Sequence, residues 1–451
     1  MGFKTVTTAI DNTIDYLDQG SLLGLRALGR GPVIQYTWIY EHELDWDALR
    51  RFQRNLAHTL LGRLIERSPL PFGRHHWVAL PEADAVDVSA AECRRDQVWD
   101  WADRRAQVPV DPETGPPWHL GVQPLLGGGA AVSLVVSHSI ADAGALIMSI
   151  TAAVEGDLPQ LQYQPPSART LPQALRQDAR TTMRSLRQVP AAVAGAVKTM
   201  RAQSGELSES AKASAPSISK GFDRPVCVPT VNMFVDHGEW ERVAQSLGGT
   251  SNAMLAGIAL RIGKSLGRVD HRGQAMLSLP VSERVVGDTR ANALATISVT
   301  ADPDVAVTDL APVRAGLKTA LIELADNRDA LFAPLPLTPY IPKVALRRLE
   351  KAILKVGQPV GCSNAGKMPS AVNRIDGTDA EYFSARLVEP GITAGVFAQM
   401  GGHLLLASGN LAGTQSTTVS SWVVGGTNTK AVLAETVEKA LADYGMTAIV
   451  E

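Results

Sequence analysis

Cysteine is scarce in this sequence. Only three cysteines, Cys93, Cys227 and Cys362, occur among 451 residues, and they are widely separated and odd in number. A disulfide framework or a zinc site needs cysteines in pairs or clusters at short spacing. This usage therefore predicts a protein of a reducing cytosol with no metal site.

The sequence also lacks a strong charge of either sign and any long apolar run. Its formal net charge of -2 argues against general nucleic-acid binding. A membrane-spanning helix needs about 18 consecutive apolar residues, and no apolar stretch approaches that length. The chain also does not open with the basic, apolar and small-residue pattern typical of a signal peptide. We therefore expect a cytoplasmic protein, peripheral at the inner face of the membrane at most.

The length and hydrophobic content predict more than one core. A chain of 451 residues with 45% hydrophobic content exceeds what one core comfortably fills, so two domains are expected. Six prolines and a stretch rich in serine and alanine lie between residues 157 and 224 and indicate a long connection. We predict an N-terminal subdomain over residues 1–160, a crossover linker over 161–224 and a C-terminal subdomain over 225–451.

Hydrophobic periodicity and turn residues predict alternating helices and strands in both subdomains. In the first, strands are expected at 33–40 and 75–79, and helices after Asp45 and over 96–106. In the second, strands are expected at 227–235, 275–281, 294–300, 382–388, 393–399 and 404–408, and helices at 240–247, 252–266 and 429–443. Both subdomains thus read as α/β layers. The adjacent His75 and His76 are interpreted as structural, because no aspartate follows His76 at a spacing of four.

Two segments are basic and amphipathic. Residues 171–203 carry six basic side chains against one acid, Asp178, and residues 342–355 carry five basic side chains between apolar ones. A basic amphipathic helix can lie in a membrane interface and attract anionic lipid. The alternative is a crossover helix whose basic face is solvated.

One short stretch combines features that suit catalysis. Residues 130–136 form an apolar run that predicts a buried strand, and the glycines at 127–129 join it to 120–126 in a β-hairpin. A helical pattern begins after Asp142, so His138 stands at the strand end and Asp142 at the helix start. Histidine is the side chain best able to take and return a proton near neutral pH.

Two interpretations of this pair remain open on the residues alone. His138 is either a general base that activates a hydroxyl or thiol, or a core histidine whose ring bonds a main-chain carbonyl. A histidine and an aspartate four residues apart arise often by chance. Asp142 is too close along the chain to act as an independent reaction partner, so its expected role is to fix the local backbone.

The stretch resembles the His-His-x-x-x-Asp-Gly motif of the CoA-dependent acyltransferase superfamily. That superfamily includes chloramphenicol acetyltransferase, peptide-synthetase condensation domains, polyketide-associated acyltransferases and bacterial wax ester synthase/diacylglycerol acyltransferases. His138 and Asp142 match the second histidine and the aspartate, whereas Ser137 replaces the first histidine and Ala143 replaces the glycine.

Further segments occur in the order expected for the wax ester synthase branch, over about residues 7 to 445. They are 115–118, similar to a Pro-Leu-Trp element; 250–256, similar to a Thr-Asn-Asp-Val-Val-Leu-Ala helix start but with Ala253 in place of aspartate; 279–284 with Asn292, similar to Pro-Val-Ser-x-Arg and a downstream Gly-Asn; and 362–366, similar to a Ser-Asn-Val-Pro-Gly loop. The resemblance implies an α/β fold of two chloramphenicol-acetyltransferase-like subdomains in a V, with an active-site tunnel between them.

The resemblance also implies a role for each matching residue. His138 would take a proton from an acceptor hydroxyl, which attacks an acyl-CoA thioester directly, without an acyl-enzyme. Asp142 would be structural, through an ion pair to Arg284, although Arg284 could equally be a surface strand residue. Asn252, Ser363 and Asn364 are candidates for the oxyanion site or tunnel wall, or else simple turn caps. No cofactor is expected beyond acyl-CoA as substrate.

The function implied is an O-acyltransferase that moves a long-chain acyl group from acyl-CoA to a hydroxylated lipid such as diacylglycerol or a fatty alcohol. One alternative is a polyketide-associated or condensation-type acyltransferase that uses a carrier-protein-bound donor. Another is a catalytically silent, lipid-binding relative, an alternative kept open by Ser137 and Ala143.

Overall fold

The computed structural model describes residues 12–198, 224–346 and 358–451. The strands are β1 (Val33–Tyr40), β2 (Arg63–Glu66), β3 (His76–Ala79), β4 (Asp87–Val88), β5 (Trp118–Pro124), β6 (Ala130–Ser137), β7 (Thr230–Asp236), β8 (Ala275–Ser282), β9 (Leu294–Ala301), β10 (Val360–Lys367), β11 (Tyr382–Val388), β12 (His403–Leu411), β13 (Thr414–Trp422) and β14 (Ile449–Val450). The helices are α1 (Tyr16–Leu28), α2 (Trp46–Leu56), α3 (Val98–Arg105), α4 (Ala143–Glu155), α5 (Leu171–Leu186), α6 (His237–Ser246), α7 (Ser251–Ser265), α8 (Pro303–Thr308), α9 (Ala311–Phe332), α10 (Ala394–Met400) and α11 (Lys430–Asp443).

The first large sheet has five strands in the order β11-β1-β6-β5-β4. Every residue of β1 and β6 is buried, which explains why both read as apolar or aromatic runs with little alternation. The predicted hairpin is confirmed: β5 and β6 pair antiparallel from Trp118 opposite Val136 to Pro124 opposite Ala130. This pairing fixes where β6 ends, and therefore where the next residue, His138, stands.

The second large sheet has seven strands in the order β14-β7-β13-β12-β10-β8-β9. Strand β10 lies parallel to both β8 and β12, while the other pairs are antiparallel. Helix α7 packs in the core of this half and buries residues on all sides, ten of them between Ala253 and Gly263. An α-helix that is apolar all round is stable only inside a core.

One strand crosses between the two halves. Strand β11 follows β10 in the chain, yet it pairs with β1 of the first sheet, with Val388 opposite Val33. Its Ser384 hydroxyl donates to Asn232 Oδ1 of β7 at 2.6 Å, and it lies 2.9 Å from the hydroxyl of Thr418 on β13. The two sheets therefore meet through a buried, hydrogen-bonded polar cluster.

Several predicted elements are different in the structure. Residues 393–399, predicted as a strand, form helix α10, which Thr393 caps by accepting from the Val396 N–H and which ends at Gly401 with a φ of 71°. Short apolar runs do not distinguish strand from helix, and here the cap residues decide. Residues 362–366, predicted as a loop, form most of β10, whose serine, asparagine and glycine hide the strand pattern.

The basic segments are described in part. Helix α5 begins where the first segment was predicted to begin, a break falls at 187–188, and residues 189–198 are helical again. Residues 199–203 of that segment, and 347–355 of the second one, lie outside the described residues. Within the described ranges, no helix is long and apolar enough to cross a membrane.

Candidate active site

His138 follows the last residue of β6 and is half-buried. Its N–H donates to the carbonyl of Pro32 at 3.1 Å, and its own carbonyl accepts from Asn292 Nδ2 at 3.1 Å. Burial lowers the pKa of the imidazole below its ordinary value, although its own main-chain carbonyl, Asp142 and Asn292 act in the opposite direction. A neutral imidazole is therefore the favoured form, and only that form can accept a proton.

Asp142 is the N-cap of α4, as its position before the helical pattern predicts. Its Oδ1 accepts from the N–H of Ala145 at 2.7 Å and from Nη2 of Arg284 at 2.8 Å. Its Oδ2 accepts from the N–H of Ala293 at 2.8 Å. Oδ1 is thus bonded to the start of α4 and to the C-terminal half, Oδ2 is bonded to the C-terminal half, and neither oxygen hydrogen-bonds His138.

Arg284 lies two residues after β8 and supplies the cation of this contact. Its Nη2 also donates to the carbonyl of Ala291 at 3.1 Å, and its Nη1 donates to the carbonyls of Asp288 and Arg290 at 3.3 and 3.0 Å. Its side chain is 6% exposed and that of Asp142 is 7% exposed, so the pair is shielded from water. The ion pair that the resemblance implied is present, and it joins the two halves.

Gly144 leaves the space that Arg284 occupies. A Cβ added at Gly144 would lie 3.2 Å from Arg284 Nε and 3.4 Å from Asp142 Oδ1. The motif places its glycine one residue earlier, where this chain has Ala143. Glycine at 144 therefore keeps the close approach of the guanidinium to the helix start.

Two residues that the sequence analysis did not assign to the site also meet the His138 turn. Asp18 of α1 accepts from the N–H groups of Ala291 and Asn292 at 3.0 and 2.7 Å. Arg63 of β2 donates to the carbonyl of Ile140 at 3.2 Å. Asp18 lies with Leu22 on the buried face of α1. A charged residue on the apolar face of a helix is the sequence feature that could have indicated its role.

Asn252 and Asn364 meet each other away from this turn. Asn364 Nδ2 donates to Asn252 Oδ1 at 2.6 Å, at the wall of a cavity of about 560 Å³ between α9 and the β8–β10 part of the sheet. Cys362 lines the same cavity, whereas Ser363 alternates to the other face of β10. The lining of this cavity includes neither His138 nor Asp142.

A larger cavity, of about 1170 Å³, lies elsewhere in the first half. Helix α2 and the segments 79–88 and 158–163 form its walls, and none of the predicted site residues lines it. Among the described residues, no group of three or more His, Cys, Asp or Glu side chains is placed to hold a metal ion.

No family model and no curated protein sequence matches the chain. Solved structures do match it over nearly its whole length. They include polyketide synthase associated protein 5 from Mycobacterium tuberculosis, at 16% identity and a TM-score of 0.55 over 93% of this chain and 96% of that one. The first condensation domain of the calcium-dependent antibiotic synthetase, with a substrate analogue, is 14% identical at a TM-score of 0.57 over 97% of each chain. F. sporotrichioides TRI101, complexed with coenzyme A and T-2, is 11% identical at 0.57 over 98% of this chain and 100% of that one.

These likenesses show the fold. The chain has the α/β architecture of these solved structures, with two halves that each combine a sheet and helices, as the resemblance implied. At identities of 11 to 16%, the likeness shows the fold alone. The activity has to be argued from the site, because one fold hosts many functions.

Proposed function

We propose that the protein is an acyltransferase in which His138 is the general base for attack of an acceptor hydroxyl on an acyl thioester. One observation carries this proposal: a half-buried imidazole with a lowered pKa stands at a strand end that both halves of the molecule fix. A histidine with only a packing role does not require a buried ion pair between two subdomains beside it.

The reaction balances with His138 as the only proton carrier. The imidazole takes the proton of the acceptor hydroxyl as the oxygen bonds to the thioester carbonyl carbon. The C–S bond then breaks, and His138 returns the proton to the departing thiolate. General acid–base catalysis of this kind contributes about 10²- to 10⁴-fold to rate.

The developing oxyanion needs a preorganised donor. Asn252, Ser363 and Asn364 are the candidates from the C-terminal half. Asn252 and Asn364 line the cavity beside α9, whereas Ser363 lies on the face of β10 that points away from that cavity. We place the tunnel between the two halves, with His138 inside it.

For the substrates, we propose a long-chain acyl-CoA donor and a lipid alcohol acceptor, such as diacylglycerol or a fatty alcohol. The order of sequence segments resembling the wax ester synthase branch supports this choice. A carrier-protein-bound donor is the second candidate, because condensation domains and a polyketide synthase associated protein share the fold. A catalytically silent, lipid-binding protein is the third.

We also propose that α5 contacts the membrane surface peripherally. The helix is fixed to the protein through the buried residues Ala174, Asp178 and Ser185. Three of its large apolar side chains, Leu171, Met183 and Leu186, are nevertheless exposed, on a helix whose arginines are exposed too. Exposed apolar groups beside cations are the pattern that favours an anionic lipid surface.

The test is release of free CoA from acyl-CoA in the presence of candidate alcohols, followed with a thiol reagent. We expect His138→Ala to lower the rate by about 10²- to 10⁴-fold. His271→Ala is the matched control, because His271 is exposed and far along the chain from the motif, and its rate should equal that of the unmodified protein.

The outcomes separate the candidates. Release that depends on His138 with CoA donors supports the first. Transfer only from an acylated carrier protein supports the second. Lipid binding without release from either donor supports the third and contradicts an enzymatic role.

A further inference from the structure

Asp18 is a buried carboxylate with no place in the proton transfer. It lies in the first turn of α1 and is 0% exposed. Its Oδ2 accepts from the Ala291 N–H at 3.0 Å, and its Oδ1 accepts from the Asn292 N–H at 2.7 Å and from Asn292 Nδ2 at 3.2 Å. A carboxylate that leaves water needs such compensation, so these contacts are specific and not incidental.

The segment that Asp18 holds is also the segment that touches the motif. The amide Nδ2 of Asn292 is shared between Asp18 and the carbonyl of His138, at 3.2 and 3.1 Å. The carbonyl of Ala291 accepts from the Asp142 N–H at 2.8 Å. Two consecutive residues therefore connect a carboxylate of α1 to both ends of the His138–Asp142 turn.

We propose that Asp18 is a positioning residue for His138: its carboxylate holds residues 291 and 292 against the main chain of the His138 turn and so fixes where the imidazole stands. The kinetic consequences rest on the proposed function. A displacement of about 1 Å at a reacting group can cost about 100-fold in rate, so a residue that acts only through residues 291 and 292 can still matter to turnover.

The negative charge of Asp18 is part of this role. Three N–H donors converge on its two oxygens. A protonated carboxyl group or an amide at this position would point a hydrogen at one of these donors, and that hydrogen bond would be lost. Three charged side chains interact electrostatically with Asp18. The cations Arg63 and Arg290 favour its charged form, and the carboxylate of Asp15 opposes it. Burial outweighs the hydrogen bonds and raises the pKa of Asp18 to about 6. The carboxylate, and with it the positioning contact, is then lost as the pH falls through about 6.

The first experiment compares Asp18→Asn with Asp15→Asn. Asp15 caps the same helix by accepting from the Leu17 N–H at 3.0 Å, but it does not hydrogen-bond the 291–292 segment. We expect Asp18→Asn to lower kcat by about 10- to 100-fold with KM for both substrates within about twofold, and Asp15→Asn to leave both near the original values. The part of the acid limb of kcat near pH 6 that belongs to Asp18 should vanish in Asp18→Asn only.

A second comparison tests the route through Asn292. If part of the effect of Asp18 passes through the Asn292 side chain, Asp18→Asn lowers kcat by a smaller factor in the Asn292→Ala background than in the unmodified protein. Should Asp18→Asn fail to fold, Asp18→Glu keeps the charge and moves it by one methylene. It should retain the fold and lower kcat without changing KM.

A readout that does not need turnover separates this inference from the proposed function. In NMR spectra of the histidine rings, the His138 signal, assigned by its absence in His138→Gln, should shift in Asp18→Asn and stay in place in Asp15→Asn. An inactive protein with that shift would refute the proposed function and support the positioning role. Equal kcat, equal pH limbs and an unshifted signal in Asp18→Asn would overturn the positioning role.

Discussion

Replacing Arg284 with alanine should destabilise the protein far more than the loss of an ordinary surface cation. Arg284 is the cation of the buried pair with Asp142, and its two terminal nitrogens also donate to three main-chain carbonyls in the 288–291 segment. Its removal leaves Asp142 with two main-chain donors and no counter-charge. The carbonyls of the segment lose their donors at the same time.

The magnitude follows from burial. Removing one partner of a buried ion pair costs about 3–5 kcal/mol, because the other charge stays buried without compensation. For a domain of 150–250 residues, each kcal/mol lowers the thermal midpoint by about 2–4 °C, so Arg284→Ala should lower it by about 6–20 °C.

Arg328→Ala is the matched control, measured with Arg284→Ala by scanning calorimetry. Arg328 pairs with Glu283, the neighbour of Arg284, but its side chain is 48% exposed. Exposed pairs contribute about 0–1 kcal/mol, so its midpoint should move by no more than a few degrees. If both variants shift the midpoint by the same small amount, Arg284 does not hold the two halves together and the argument for an anchored His138 turn fails.

Two further predictions concern proton transfer and membrane contact. The kcat/KM of the proposed reaction should fall as the pH drops, with a half-point below about 6.5, the ordinary histidine value. Burial lowers the pKa of His138, and only the neutral ring accepts a proton. A half-point above 7 in a pH series would contradict this. The protein should cosediment with vesicles that contain anionic lipid, and reversing the charges of Arg176, Arg180 and Arg184 on α5 should weaken this binding. Equal binding by the variant, or no binding to any vesicle, would remove the membrane proposal.

The sequence was informative where the pattern is local. The strand, turn and helix around His138 follow from an apolar run, three glycines and an N-cap aspartate within 30 residues, and the structure confirms each element. The same holds for β1, α2 and α7, whose caps or apolar periods lie within one element. Local pattern failed at α10, where seven residues are too few to separate the two periods.

Strand β13 shows a different reason for failure. All of its Ser and Thr residues except Thr414 are buried, and two of their hydroxyls contact hydroxyls of other strands: Thr417 lies 2.5 Å from Ser408 and Thr418 lies 2.9 Å from Ser384. A buried strand that consists mainly of Ser and Thr lacks the apolar run that predicts a buried strand, so the sequence does not predict β13.

Contacts between distant segments were the hardest to predict. No aspartate follows His76 at short range, but Asp178 of α5 reaches it at 2.9 Å across 102 residues. Asp18 and Asn292 are 274 residues apart and hydrogen-bonded. Partners of this kind are set by the assembled fold, and a single sequence carries no record of them beyond a charged residue in an apolar stripe.

The contacts of Asp142 decide how His138 can work. In a catalytic triad, a carboxylate bonds the histidine ring, fixes its tautomer and stabilises the imidazolium. Here the carboxylate is hydrogen-bonded to α4, Arg284 and the 293 N–H and not to the ring of His138, so it does not fix the tautomer of that ring. Burial lowers the pKa of the His138 ring. In the reaction that we propose, a base of lowered pKa gives up its proton readily, which suits its return to a departing thiolate.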